Sequence, residues 1–136
     1  CNIQLPFEQH LNPYTNTSVT FEHFFVRKTL LIKYSYAFII MPGGFGTLDE
    51  FYETLTLIQT KSIIQFPIVL YGIEFFTPLI EYAKFLAEQG TISKEDLDLV
   101  LLTDDLDEAM QHIRTYITTN YRVKPRRKLW WLFEKN

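Results

Sequence analysis

The sequence predicts an α/β fold in which a parallel sheet carries helices on both faces. Short apolar runs alternate with longer segments whose apolar residues recur every three or four positions, so the order reads strand, helix, strand, helix, strand, helix. That grammar belongs to a parallel sheet with right-handed crossovers. The chain has 136 residues and 47% hydrophobic content, enough for one domain with a real core. In Ala37 to Glu50, AFIIMPGGFGTLDE, an apolar run stops at a proline and two glycines and restarts as a helix.

In chain order, Asn2 to Leu5 reads as a strand, followed by a polar loop from Pro6 to Thr20 without clear period. Between Val19 and Tyr34, Phe21, Phe24, Phe25, Leu31 and Ile32 fall at roughly helical spacing, which predicts a helix ending in Lys33 and containing Arg27 and Lys28. Phe38 to Met41 is continuously apolar, as expected of a strand covered on both faces. After the glycine turn a helix opens at Thr47 and runs to about Thr60, with Phe51, Leu55 and Ile58 as its buried stripe.

Pro67 introduces a strand, Ile68 to Tyr71, that closes with Gly72. Phe75 to Gln89 is a helix with Leu79, Tyr82, Ala83 and Leu86 on one face and Gly90 as its stop. A short helix around Ser93 to Leu97 leads into a strand, Leu99 to Leu102. Asp105 and Glu108 then have the capping-box spacing that opens a last helix to about Thr119. Residues 1–120 form the domain, and 121–136 form a basic, aromatic arm combining KPRRK with LWWLF. The arm reads as a packing or subunit-contact segment that buries Trp130 and Trp131.

A net charge of −3 supplies no overall field to draw nucleic acid, and one short basic cluster is a weak signal for it. The single cysteine, Cys1, rules out an internal disulfide or a cysteine-rich metal site and suits a reducing cytoplasm. His10, His23 and His112 lack the spacing of a ligand set, so no metal is implied. No apolar run approaches the roughly 20 residues that span a bilayer, and there is no signal-peptide pattern. The opening CNIQLP, without a methionine, reads as the middle of a longer chain.

The glycine corner is the chemical signal. Gly43, Gly44 and Gly46 let backbone approach an anion, N–H groups at the start of the following helix point outward, and the Thr47 hydroxyl adds a donor. No lysine follows the glycines, which argues against a triphosphate P-loop, and the spacing is not the dinucleotide fingerprint. Glu50 has two readings. Thr47 and Glu50 have capping-box spacing, and a carboxylate one turn into the helix also stands within reach of a bound sugar phosphate. Arg27 is either a helix-surface ion pair or a site residue. Glu53 reads as a fold or subunit contact and Asp49 as solvated, although a charge on Glu53 would raise the pKa of Glu50 if both faced the cleft.

Pro42 to Glu50, PGGFGTLDE, resembles the PGGxGTxxE motif of the LOG-like family, long described as lysine decarboxylase-like and including cytokinin-activating nucleoside 5′-monophosphate phosphoribohydrolases. The Arg27-Lys28 pair, the AFIIMPGG run, LTLIQTKSI, FPIVL and TDDLDEAM extend the resemblance over nearly all of the chain, especially to the longer bacterial branch. It implies a Rossmann-like fold, here without the family's N-terminal strand–helix region. Phe25 stands where plant-type members carry a histidine before the Arg-Lys pair.

The implied reaction is hydrolysis of the N-glycosidic bond of a nucleoside monophosphate, without cofactor, in a homodimer. Glu50 and Arg27 would be the catalytic residues, and Gly43, Gly44, Phe45, Gly46, Thr47 and Lys28 would bind the phosphate and nucleotide. Lys28 is the one local lysine for a pyridoxal Schiff base, but no partner for the pyridine nitrogen accompanies it, so decarboxylation is disfavoured. The main alternative is a carrier that binds a nucleotide or phosphorylated cofactor without cleaving it, as in the related molybdenum-cofactor carrier proteins. A third is an interaction protein whose aromatic tail matters.

Overall fold

A computed structural model describes residues 1–4, 13–63 and 67–121. The tail from 122 onward, with Trp130 and Trp131, lies outside the described residues, as does the first part of the expected loop, 6–12. In chain order the elements are β1 (Asn2–Ile3), β2 (Thr20–Phe21), α1 (Phe24–Lys33), β3 (Phe38–Ile40), α2 (Phe45–Gln59), β4 (Ile68–Tyr71), α3 (Ile73–Glu88), β5 (Val100–Thr103) and α4 (Leu106–Asn120).

Strands β3, β4 and β5 form a parallel sheet in that order, so the predicted α/β class and the three strand–helix units stand. Register aligns Phe38, Ile68 and Val100 in one row and Ile40, Leu70 and Leu102 in the next. Side chains two apart on a strand share a face, and this face packs with Phe51 and Ile58 of α2 and Phe76 of α3 into the main core. Ile68, Val69 and Leu70 are fully buried, as a central strand requires. The flanking β3 is different. Among the described residues it has one strand neighbour, and Ile39 is 42% exposed, which corrects the expectation of a strand covered on both faces.

Several predicted boundaries move for identifiable reasons. β2 falls inside the stretch read as loop and helix and pairs in parallel with β1, Asn2 beside Thr20 and Ile3 beside Phe21. α1 therefore starts at Phe24 but ends at Lys33 as predicted. The expected helix at Ser93 to Leu97 is a series of turns, closed by Asp96 N–H to the Ser93 carbonyl and Leu97 N–H to the Lys94 carbonyl. On α3, Leu79, Ala83 and Leu86 are half-buried as expected, but Tyr82 is exposed and Phe76 is the side chain driven into the core. Gly90 stops α3 in the left-handed region at φ 72°, its N–H on the Ala87 carbonyl.

The helix ends nearest β5 are well closed. Asp105 caps α4, accepting from the N–H groups of Asp107 and Glu108. The return half of the predicted capping box is replaced: the Glu108 carboxylate accepts from the buried Thr103 hydroxyl, which itself accepts from the Asp105 N–H. Asp104 closes α3 by accepting from the Ile73 N–H at 2.8 Å. Gly72, between β4 and α3, sits at φ 126°, and a Cβ there would lie 3.1 Å from Cγ of Pro42. Both the backbone conformation and the contact with the glycine corner exclude a side chain. Gly72→Ala should lower unfolding stability by about 1–3 kcal/mol in a urea titration. Gly44→Ala, at a position with open space around it, should stay within about 0.5 kcal/mol of the parent.

Candidate functional site

The glycine corner links the carboxyl end of β3 to α2. Helix α2 begins at Phe45, two residues before the predicted Thr47, with Gly44 as N-cap and no side chain closing the end. Thr47 therefore lies inside the first turn, its N–H on the Gly44 carbonyl at 3.1 Å, and the expected Thr47–Glu50 capping box does not form. The N–H groups of Phe45 and Gly46 are first-turn donors without an intrahelical acceptor, at the positive end of the helix dipole.

Two of the three corner glycines differ in what surrounds them. A Cβ on Gly43 would lie 2.3 Å from Thr47 Oγ1 and 3.0 Å from Thr47 Cβ, so this glycine lets the threonine fold back against the loop. A Cβ on Gly44 would meet nothing within 4 Å, which leaves open space in front of the loop backbone. Phe45 is 93% exposed, an aromatic ring standing in water at the mouth of the corner.

The structure brings Arg27 and Glu50 together from positions 23 residues apart: the Arg27 Nη1 donates to Glu50 Oε1 in a part-buried ion pair. Arg27 Nε also donates to the Cys1 carbonyl at 3.1 Å, so two contacts orient the guanidinium. Glu50 faces this guanidinium, one turn from the corner, rather than its own helix end. Thr54, fully buried, is satisfied locally by donating to the Glu50 carbonyl at 2.7 Å.

Lys28 lies beside this pair and is held by α2. Its ammonium is 2.8 Å from Glu53 Oε2 and 3.1 Å from Asp49 Oδ2. The Glu53 carboxylate, then that of Asp49, raises the Lys28 pKa above the ordinary lysine value, against the opposing effect of burial. Glu53 thus makes the fold contact expected of it, whereas Asp49, although half-exposed, is paired. This seam escaped sequence reasoning. The available signal was spacing: Asp49 and Glu53 lie four residues apart on α2, one face of a helix, opposite an adjacent Arg-Lys pair.

A narrow apolar crevice of about 110 Å³ lies elsewhere, between α2, α3 and the turns before β5, lined by Tyr52, Leu55, Leu79, Ala83 and Leu86. Asp96 is its acidic member. Burial pushes its carboxyl up, but hydrogen bonds from Ser93 and Gln59 outweigh this and hold it below its ordinary value. Its charge is used in closing the turn. The crevice therefore has the chemistry of a packing gap, and the reactive groups are those of the α1–α2 seam. No group of histidine, cysteine and acidic side chains arranged to hold a metal occurs among the described residues.

A family model described as "possible lysine decarboxylase" matches residues 1–113. A cytokinin riboside 5′-monophosphate phosphoribohydrolase of Rhodococcoides fascians is 33% identical over 89 residues, covering 65% of this chain and 45% of the relative. The enzyme of that name LOG3 of Arabidopsis thaliana is 30% identical over 110 residues, 80% of this chain and 50% of the relative, and LOG1 of the same plant is 30% identical over 98 residues, 71% and 46%. The chain spans about half the length of these curated relatives.

The Lys28 contacts carry a pH dependence whose sign follows from the raised pKa. Their contribution is complete below the ordinary value of 10.5 and is lost as pH rises through the higher value of the folded state. Lys28→Gln should therefore flatten the alkaline fall in stability above about pH 10.5, measured by urea unfolding at a series of pH values.

Proposed function

The chain belongs to the LOG-like family, and we propose that it hydrolyses the N-glycosidic bond of a nucleoside 5′-monophosphate, releasing the free base and ribose 5-phosphate. The observation that carries this reading is the Arg27–Glu50 pair one turn beyond an uncapped, glycine-lined helix start. In the proposed arrangement the phosphate sits on the N–H groups of the corner, with Gly43, Gly44, Phe45, Gly46 and Thr47 around it. That placement sets the ribose toward Glu50.

As the bond from C1′ to the base nitrogen breaks, positive charge builds on the ribose, and a fixed carboxylate stabilises that state more than the ground state. Water supplies the hydroxyl that bonds to C1′, and its proton leaves with the base. Glu50 holds the ribose hydroxyls or orients that water, and Arg27 pairs with phosphate or assists the departing base. A Schiff-base role for Lys28 is disfavoured on physical grounds: a nucleophilic lysine needs a lowered pKa, and Glu53 and Asp49 move this one upward.

The exposed apolar side chains Phe24, Phe25, Met41 and Phe45 border this end of the molecule, and such a concentration of apolar surface fits a homodimer. Among the described residues no helix is long and apolar enough to cross a membrane. The single cysteine fits a reducing, cytoplasmic setting.

Incubating the chain with AMP, GMP and CMP should release ribose 5-phosphate. Glu50→Gln should still bind AMP in calorimetry and lose turnover by about 10²-fold or more. AMP binding without any turnover in the parent would turn the assignment toward a carrier. Gly44→Val should unfold like the parent, since its side chain enters open space, yet bind AMP at least about tenfold more weakly while leaving adenosine unaffected. Unchanged AMP affinity in that variant would remove the phosphate from this loop.

A further inference from the structure

The seam between α1 and α2 contains two charged contacts side by side. Arg27 and Lys28 are consecutive on α1, while Glu50 and Glu53 are one turn apart on α2. Glu53 Oε2 is itself closed off from solvent, although the side chain as a whole is 36% exposed, and the Lys28 ammonium 2.8 Å away is the charge that faces it. The contact is partly exposed and contributes little to stability, but the enclosed oxygen fixes where the ammonium lies across the seam. Asp49, the second partner of Lys28, is 54% exposed and exchanges its contact readily with water.

Helix α1 packs through half-buried Val26, Leu30, Leu31 and Ile32 and touches β1 and β2, but little of this fixes its rotation relative to α2. It contains no buried residue, and few of its backbone positions approach α2 closely, so long side chains span the gap. One ion pair between two helices is a pivot; a second, displaced along both axes, stops the rotation. We propose that Glu53 is a positioning residue, which by fixing Lys28 across the seam holds the adjacent Arg27 guanidinium on the Glu50 carboxylate. The catalytic consequence rests on the hydrolase reading above; the positional one does not.

Both are read on the full chain with Glu53→Gln, which keeps size and removes charge, and with Glu53→Asp, which keeps charge at shorter reach. The ¹⁵N resonances of the Arg27 guanidinium, assigned with Arg27→Lys, report its immobilisation directly. In the parent, hindered rotation should keep its Nη signals apart; in Glu53→Gln they should merge, and in Glu53→Asp partly separate again. With AMP, Glu53→Gln should lower kcat by about 10- to 100-fold with KM unchanged, since a small misplacement of a reacting group acts on the chemical step. A merely structural loss would instead lower the active fraction and leave the guanidinium spectrum of the folded molecules intact.

Parent-like Arg27 signals in Glu53→Gln overturn the proposal, as does a parent-like kcat. If the parent itself releases no ribose 5-phosphate, the hydrolase reading fails, and the Arg27 signals alone decide the positioning role: merged supports it, unchanged overturns it. Should Glu53→Gln fail to fold, Lys28→Gln breaks the same contact from the other helix and is read in the same spectrum.

Discussion

The arrangement of the candidate site depends on the charged seam that joins α1 to α2. Most of the molecule is held by burial: β4 is fully enclosed along Ile68, Val69 and Leu70, and Phe51, Ile58 and Phe76 close over one face of the sheet. Helix α1 shares little of this, with only Ile32 packed at the margin of the core. It also touches β1 and β2, and its charged attachment to α2 runs through Arg27 on Glu50 and Lys28 on Glu53 and Asp49. Partly exposed ion pairs contribute at most about 1 kcal/mol each to stability. Their larger effect here is geometric, since they determine which side chains face each other beside the glycine corner.

The corner and the seam are coupled through α2. The sheet fixes where β3 ends, Pro42 leaning on Gly72 fixes the exit of the chain, and the absence of a side chain at Gly43 leaves room for Thr47 in the first turn of α2. With α2 so placed, Glu50 falls one turn from its N-terminus on the side that meets α1. Parallel sheets carry ligand chemistry at the carboxyl ends of their strands because helix N-termini converge there. This chain places its one cross-helix arginine–carboxylate pair among the described residues at that end.

Much of this was legible in the sequence. The strand β4, the stop of α1 at Lys33, the stop of α3 at Gly90 and the capping role of Asp105 all follow from local pattern. What local pattern misjudged was decided by partners distant in sequence. Thr47 and Glu50 have the spacing of a capping box, but Arg27 takes the carboxylate. Asp105 and Glu108 have the same spacing, but the Thr103 hydroxyl intervenes. β2 is two residues long and exists through its pairing with β1, leaving no periodicity to detect. Ile39 reads as core, yet among the described residues it is 42% exposed on the face of β3 opposite Phe38 and Ile40. Arg27, Lys28 and Glu50 stood out in the sequence as candidates; their pairing scheme, and the place of Asp49 and Glu53 in it, was a tertiary fact.

The distribution of helix caps separates the two halves of the fold. α4 is closed by Asp105 and α3 by Asp104, each carboxylate accepting from first-turn N–H groups. α1 and α2 have no side-chain cap, with His23 and Gly44 at the capping positions. A glycine in the capping position of α2 forgoes about a few tenths of a kcal/mol relative to a side-chain cap, and the exposed Phe45 adds a further local cost. Departures from local optimality that gather in one place are the expected mark of a site whose groups must stay available. Here they gather on the two helices that carry Arg27 and Glu50. Filling the start of α2 with a serine or aspartate would satisfy the helix from within and occupy the donors that the proposed phosphate site uses, so the same physics that stabilises α3 and α4 would work against the proposed function in α2.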